Sequence, residues 1–410
     1  MRRVAVTGWG VVSPWGDDPA AMMSAVNTGR SAVRPLALRG EGPWPARTAA
    51  WLDDFDARAH FSPTQLTTLD RTSQFALVAA RAALGMAGSE GLPGPADCGV
   101  HVGTGMGSAS AMEATYRAFF GEHATRLKPL TVPTGMSNAA AAHLAIETGF
   151  TGPNLTYCCA CASAAVAIGE AASRIRHGEA QLMLAGGSEA LILPGVVHAW
   201  EALRTLAEID PLDPATSCKP FSIRRSGLVL GEGAAFFVLE DWEAALSRGA
   251  QPLAELCGYA TGSDSTHLTR PSVAGQSAAM RAALRSAGLP AHAIGYINAH
   301  GTATAANDST EAAAIREVFG EHAESLPVSS TKAVHGHLLG AAAALELLVV
   351  LHVLRDRSAP PTAHLDEPDP ACPLDHVVGA ARALPALEYA MSNSFAFGGT
   401  TGVLIARRVG

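Results

Sequence analysis

The chain has 410 residues, 48% hydrophobic and 16% charged, with 41 glycines and a formal net charge of −8. This composition excludes a disordered chain and suits a compact α/β enzyme large enough for two cores. The acidic balance, with no run of Lys or Arg, excludes nucleic acid as the main partner, because phosphate binding needs a concentrated basic surface.

The N-terminal "MRRVAVTGWGVVSPWG" lacks the apolar core and cleavage site of a signal peptide and reads as a strand ending in a turn. Further β-rich runs, "CGVHVGTG", "AQLMLAGGSEA" and "GAAFFVLE", alternate with alanine-rich helical segments such as Gln74 to Gly85, which predicts a layered α/β architecture. A second set follows in "PLAELCGYATG", the helix "SAAMRAALRSAG", "IGYINAHGT", the helix around "NDSTEAAAIREVFG" and the closing "GVLIARRVG". The chain therefore reads as two similar halves, 1–250 and 251–410, without a residue-level repeat. The apolar run "LLGAAAALELLVVLHVL" is broken by Glu346 and His352, is too short to span a bilayer comfortably, and reads as a buried helix. The seven cysteines, an odd number with a lone C-x-x-C at Cys158 and Cys161, read as reduced thiols of a cytoplasmic protein.

Three segments carry chemistry. In "LTYCCACASAAVAIGEAASRIRHG" strong helix formers run from Ala162 to His177 and stop at Gly178. Cys161 is thereby placed at a helix N-terminus, where the helix dipole favours thiolate, and small neighbours leave the sulfur open to substrate. Cys158 and Cys159 are expected to be strand residues with packing roles. "INAHGTATAANDSTEA" puts His300 in a Gly/Thr-rich turn after a strand, with Glu311 on the following helix. "VSSTKAVHGHLLGAAAALE" puts Lys332 and His337 at the mouth of another alanine-rich helix. Strand ends and helix starts are where α/β folds assemble sites. One thiol and two imidazoles permit a specific sequence: acyl transfer to sulfur, then decarboxylation of a malonyl-like thioester whose enolate oxygen the imidazoles hold. A hydrolase triad would need one histidine oriented by a carboxylate or amide, and the second histidine and the lysine fit that less well.

The blocks "ACASA" at Cys161, "NAHGTAT" at Asn298 to Thr304, "SSTKAVHGHLLGAA" at Ser329 to Ala342 and "SNSFAFGGTTG" at Ser392 to Gly402 resemble the β-ketoacyl-acyl carrier protein synthases, elongating condensing enzymes of the thiolase superfamily. The resemblance runs the length of the chain and includes "GPNLTY", "GGSEA" and "LGEGAA" in the family's order. It implies a thiolase-like five-layered αβαβα fold of two βαβαβαββ halves. It makes Cys161 the acyl acceptor and His300 and His337 the pair that binds the malonyl carbonyl, with Lys332 and Glu311 as electrostatic support around His337 and its neighbours. The backbone N–H groups of Cys161 and Phe397 would form the oxyanion hole, and Phe397 the gate to the acyl channel. Thr302 and Thr304 would bind the pantetheine arm, Phe395 and Gly398 would flank the substrate, and Met112 would lie near the channel end. Asn298, Glu346, Ser392 and Asn393 match a structural monovalent-cation site of some members. No cofactor is required beyond the phosphopantetheine of an acyl carrier protein, and the partner is that carrier plus a second chain, in a homodimer or a heterodimer.

Three departures bear on partners and on loop geometry. "PFSIRRSG" has Ser222 and Ser226 where the family has aspartates, which removes a carboxylate partner expected for Arg225. "GGTT" has Thr401, and an additional His335 precedes the second histidine. The segment resembling the carrier-facing helix, "SPTQLTTLDR", has Thr64, Thr67 and Thr68 where many relatives have basic residues, so a basic patch must rest on residues such as Arg126, Lys128 and Lys219. These features point to a specialised polyketide or unusual fatty acid pathway. Two other readings are a catalytically silent chain-length-setting subunit, which Cys161 argues against, and a non-decarboxylating acyltransferase, which would not need His337.

Overall fold

The computed structural model describes residues 1–36 and 47–409. Eleven strands form one sheet. In chain order they are β1 (Val4–Val12), β2 (Cys98–Gly103), β3 (Asn154–Tyr157), β4 (Leu182–Glu189), β5 (Gly233–Asp241), β6 (Ala254–Ser263), β7 (Ile294–Asn298), β8 (Pro327–Ser329), β9 (Asp375–His376), β10 (Tyr389–Phe395) and β11 (Thr400–Arg408). Their order across the sheet is β9-β8-β7-β10-β11-β6-β1-β5-β4-β2-β3. Strands β1 to β5 thus lie as first, fifth, fourth, second, third, and β6, β7, β8, β10 and β11 repeat that order. The pairing sense repeats as well: β1–β5 and β5–β4 are antiparallel and β4–β2 and β2–β3 parallel, as are β6–β11 and β11–β10, then β10–β7 and β7–β8.

Where the two sets meet, β1 and β6 share only the pairs Ala5 with Glu255 and Val6 with Ala254. The helices follow the same plan. Named in chain order, they are α1 (Arg71–Ala87), α2 (Ala139–Thr148), α3 (Ser163–Arg176), α4 (Val273–Ala287), α5 (Ala305–Phe319) and α6 (Ala342–Asp356). α3 and α6 contact each other and strands of both sets, so they form a central layer between them. α1 and α2 cover the outer face of the first set, and α4 and α5 that of the second. The result is the five-layered αβαβα arrangement.

The central helices explain the alanine-rich sequence. Every residue from Ala342 to Leu354 is buried, Glu346 and His352 included, as expected of a helix apolar all round. Small residues let the backbones close on the start of α3: a Cβ on Gly103 would fall 2.4 Å from the Ala164 nitrogen, and one on Gly187 2.7 Å from the Ala164 Cβ. Among the described residues no helix is long and apolar enough to cross a membrane.

Two local expectations are corrected. β3 ends at Tyr157, and Cys158 and Cys159 belong to the turn that follows rather than to a strand. Cys158 is exposed, its thiol donating to the Thr104 carbonyl at 3.1 Å, because the chain must leave the sheet there to enter α3. Arg225 does have a carboxylate: Asp369 lies 2.5 Å from Nη1, while Nε donates to the Thr304 carbonyl at 3.3 Å. Ser226 instead accepts from the Glu208 N–H at 3.1 Å.

Candidate active site

Cys161 sits in a single 3₁₀ turn, Ala160–Ala162, at the entry to α3. Ser163 ties this turn, accepting from the Cys159 N–H at 2.8 Å and donating to the Ala160 carbonyl at 2.7 Å. Ala160 takes a left-handed φ of 47°, which costs about 1–3 kcal/mol in a residue with a Cβ. The same conformation recurs beside the two histidines, at Ala303 (φ 63°) and Leu339 (φ 47°). Each sharp reversal brings the end of one strand or turn to a common point.

At that point the His337 Nε2 lies 3.1 Å from the Cys161 Sγ. The sulfur and one ring nitrogen of each of His300 and His337 all fall within 4.8 Å of one another. The two imidazoles stand edge to face, centroids 5.4 Å apart at 84°.

Hydrogen bonds assign the tautomers. The Leu339 N–H donates to the His337 Nδ1 at 3.2 Å, so in the neutral ring the proton is on Nε2. The Lys332 ammonium donates to the His300 carbonyl at 2.6 Å and lies 3.4 Å from its Nδ1, which makes that nitrogen an acceptor as well. Burial, then the Lys332 charge, hold both histidines well below the usual imidazole range. Both rings are therefore neutral and each has its proton on Nε2. Two N–H donors of this kind suit an oxygen that gains charge during a reaction.

Lys332 is wholly buried and ion-paired with the equally buried Glu346. Glu311, also buried, accepts from the backbone N–H groups of His300 and Gly301, each at 2.8 Å, and from the Asn393 side chain at 3.2 Å. Lys332 and Glu311 thus hydrogen-bond to His300, while the Lys332 charge acts on both imidazoles. His337 is held by its own turn and by Glu189, which sequence reading gave no role although it lies in the quoted "GGSEA". Glu189 accepts from the N–H groups of Gly105, Met106 and Gly340 and from the Thr104 hydroxyl, joining the ends of β2 and β4 to the His337 turn. The additional His335 is structural: it is buried, with Nδ1 donating to the Gly336 carbonyl at 2.7 Å and Nε2 accepting from Thr331 at 2.9 Å.

The trio opens into a cavity that Thr302, Thr304, Phe395 and Phe397 also line. Thr302 and Thr304 bond each other at 2.9 Å, and the Phe397 ring stacks on Trp200 at 5.9 Å. Gly398 is not among the lining residues; it has a φ of 82° and donates its N–H to the Leu268 carbonyl at 2.7 Å. Met112 is not among the lining residues; its sulfur packs beside Gly135. Asn298, Ser392 and Asn393 lie behind the site, each with a buried side-chain oxygen that has no hydrogen-bond partner, as has Glu346.

The family model "Beta-ketoacyl synthase, N-terminal domain" matches residues 1–245, and "Beta-ketoacyl synthase, C-terminal domain" matches residues 253–366. The chain belongs to the β-ketoacyl synthase family. Over 100% of both chains it is 42% identical to "Nodulation protein E" of Rhizobium meliloti strain 1021. It is 38% identical to "3-oxoacyl-[acyl-carrier-protein] synthase 2" of Coxiella burnetii, over 100% of this chain and 99% of that one. A solved structure described as "AntDE:AntF (apo): type II PKS acyl-carrier protein in complex with its ketosynthase bound to the hexaketide" covers 100% of both chains with a TM-score of 0.90 at 29% identity. The ketosynthase is thus an acyl-transferring condensing enzyme.

One expectation about the nucleophile changes. Burial pushes the Cys161 thiol up to about 12, against the lowering effects of the Lys332 charge and of a hydrogen bond from the Phe397 N–H. Desolvation outweighs both, so at neutral pH the sulfur keeps its proton. The thiolate fraction then grows with pH throughout the range below 12. Alkylation of Cys161 by iodoacetamide is expected to accelerate about tenfold per pH unit between pH 7 and 9. A rate already level at pH 7 would mean a preformed thiolate.

Proposed function

We propose that Cys161 accepts an acyl group from a carrier-protein thioester and that His300 and His337 drive decarboxylative condensation with a malonyl thioester. The supporting observation is the convergence of the two imidazoles on the Cys161 sulfur in one cavity. In the first step the Cys161 sulfur attacks the acyl carbonyl, the pantetheine sulfur leaves, and the thiol proton passes to it. The Phe397 N–H, already directed at the sulfur, and the Cys161 N–H would hold the tetrahedral oxygen. In the second step the malonyl carboxylate leaves as CO2 and its electron pair forms an enolate whose oxygen the two imidazoles bind. The enolate carbon attacks the acyl-cysteine, expelling the thiolate, which regains a proton as the 3-oxoacyl thioester departs. Thr302 and Thr304 hold the arm, Phe397 gates the acyl channel, and Lys332 and Glu311 position His300.

The carrier and the second protomer use the surface. Arg126 and Lys128 are exposed and line a groove beside Leu66 and Thr67, whereas Lys219 is tied up by Asp210. Carrier docking thus rests on the former two, which fits a dedicated carrier in a specialised pathway. β3 has an exposed edge that includes Leu155, and Phe119, Phe120, Val132 and Ile146 are exposed on nearby segments, which supports dimerisation over this face.

The orphan oxygens of Asn298, Glu346, Ser392 and Asn393 suit a monovalent cation: all are hard donors, and burial lifts Glu346 to about 7 even with Lys332 opposing. Such an ion would supply electrostatic support behind His300. The melting temperature is expected to be higher in potassium or sodium chloride than in choline chloride at equal ionic strength; equal values would remove the cation from the account.

Two variants separate the steps. Cys161→Ala is expected to abolish acyl loading, read by intact mass, and to keep malonyl-thioester decarboxylation, read by CO2 release. His300→Ala should load within a few-fold of the parent and lose decarboxylation by about 10²-fold or more. Normal decarboxylation in His300→Ala would refute the role given to the imidazoles, and a parent chain that cannot be loaded without a second subunit would favour the silent-subunit reading.

A further inference from the structure

The mouth of the cavity has chemistry that the steps above do not use. Its wall from Asp264 to Gln276 contributes Arg270, the one Lys or Arg among the described residues that line the cavity. Arg270 is exposed, and its guanidinium has no hydrogen bond or ion pair among the described residues. By contrast Lys219, Arg224 and Arg225 are each bound to a carboxylate. Asp264, the one carboxylate of the lining, is already engaged by the N–H and hydroxyl of Thr266, both at 3.1 Å.

The backbone under Arg270 is fixed. The His267 Nδ1 accepts from the N–H groups of Thr269 at 3.1 Å and Arg270 at 3.3 Å. The Asp264 N–H donates to the Gly399 carbonyl at 3.0 Å, tying this wall to the loop that carries Phe397. Ser272, another lining residue, caps α4 by accepting from the Gly275 N–H at 3.3 Å, so the positive end of a 15-residue helix opens on the same mouth. One turn further, Gln276 is only 2% exposed, lines the cavity, and has an Oε1 without a partner. An unpaired cation on a held backbone, a helix N-terminus and an unsatisfied buried carbonyl, in that order inward, match an anionic group followed by an amide N–H.

We propose that Arg270 binds the phosphodiester of the phosphopantetheine arm at the cavity mouth and that Gln276 accepts an N–H from one of the arm's amides. The proposal rests on the ketosynthase reading and adds to it two residues that bind the arm itself. Recognition of this kind also makes up for the threonines at positions 64, 67 and 68, because affinity moves from the carrier surface to the prosthetic group.

The test compares loading of Cys161 from free acyl-phosphopantetheine and from free acyl-pantetheine, which lacks the phosphate. The parent enzyme is expected to favour the phosphorylated thioester by about tenfold in kcat/KM. Arg270→Ala should remove that preference while leaving acyl-pantetheine unchanged, and Arg270→Lys should retain part of it. Gln276→Leu should slow both thioesters alike. A parent with no preference, or an Arg270→Ala variant slowed equally on both thioesters, would overturn the assignment. Failure to load Cys161 from either thioester would instead overturn the ketosynthase reading, and this assignment with it.

Discussion

The site depends on a positive charge placed where water cannot reach it. The Lys332 ammonium is fully buried between Glu346, the His300 carbonyl and the His300 Nδ1. Removing either partner of a buried pair strands the other, at a typical cost of about 3–5 kcal/mol, so the pair fixes its surroundings firmly. It keeps the His300 Nδ1 an acceptor, and with burial it keeps both imidazoles neutral. A neutral ring with its proton on Nε2 can donate to an enolate oxygen and still leave the sulfur's proton for the departing thiol. An imidazolium would bind the malonyl carboxylate and oppose its loss.

The five layers exist to bring these groups to one point. Cys161 comes from the first strand set and His300 and His337 from the second, and the two sets share only a short junction between β1 and β6. α3 and α6 bridge them, and the glycines at 103 and 187 allow the sheet to close on the head of α3. Three left-handed alanine or leucine residues then aim the catalytic side chains inward. This backbone strain is sustained by the surrounding packing and by Glu189, which holds two strand ends and the His337 turn together.

Much of this was legible in the sequence. The long apolar run from Leu338, broken only by Glu346 and His352, announced a buried helix, and the thiol and imidazoles at the heads of alanine-rich segments announced strand-to-helix turns. Other features were not, for physical reasons. The thiol's protonation is set mainly by desolvation, and burial depth cannot be read from neighbouring letters. The partner of Arg225 lies 144 positions away at Asp369 and leaves no local signal. Glu189 was visible within a quoted motif but had no periodicity or pairing to single it out. Met112 was placed near the channel end by resemblance alone, and its sulfur packs beside Gly135 rather than lining the cavity.

The account's central claim concerns protons, so its most direct measurement is ¹⁵N NMR of the parent enzyme labelled at histidine, with His300→Ala and His337→Ala used to assign the two signals. At pH 7 both rings are expected to show the pattern of a neutral imidazole protonated at Nε2. A doubly protonated ring, or a proton on Nδ1 at either residue, would contradict the account.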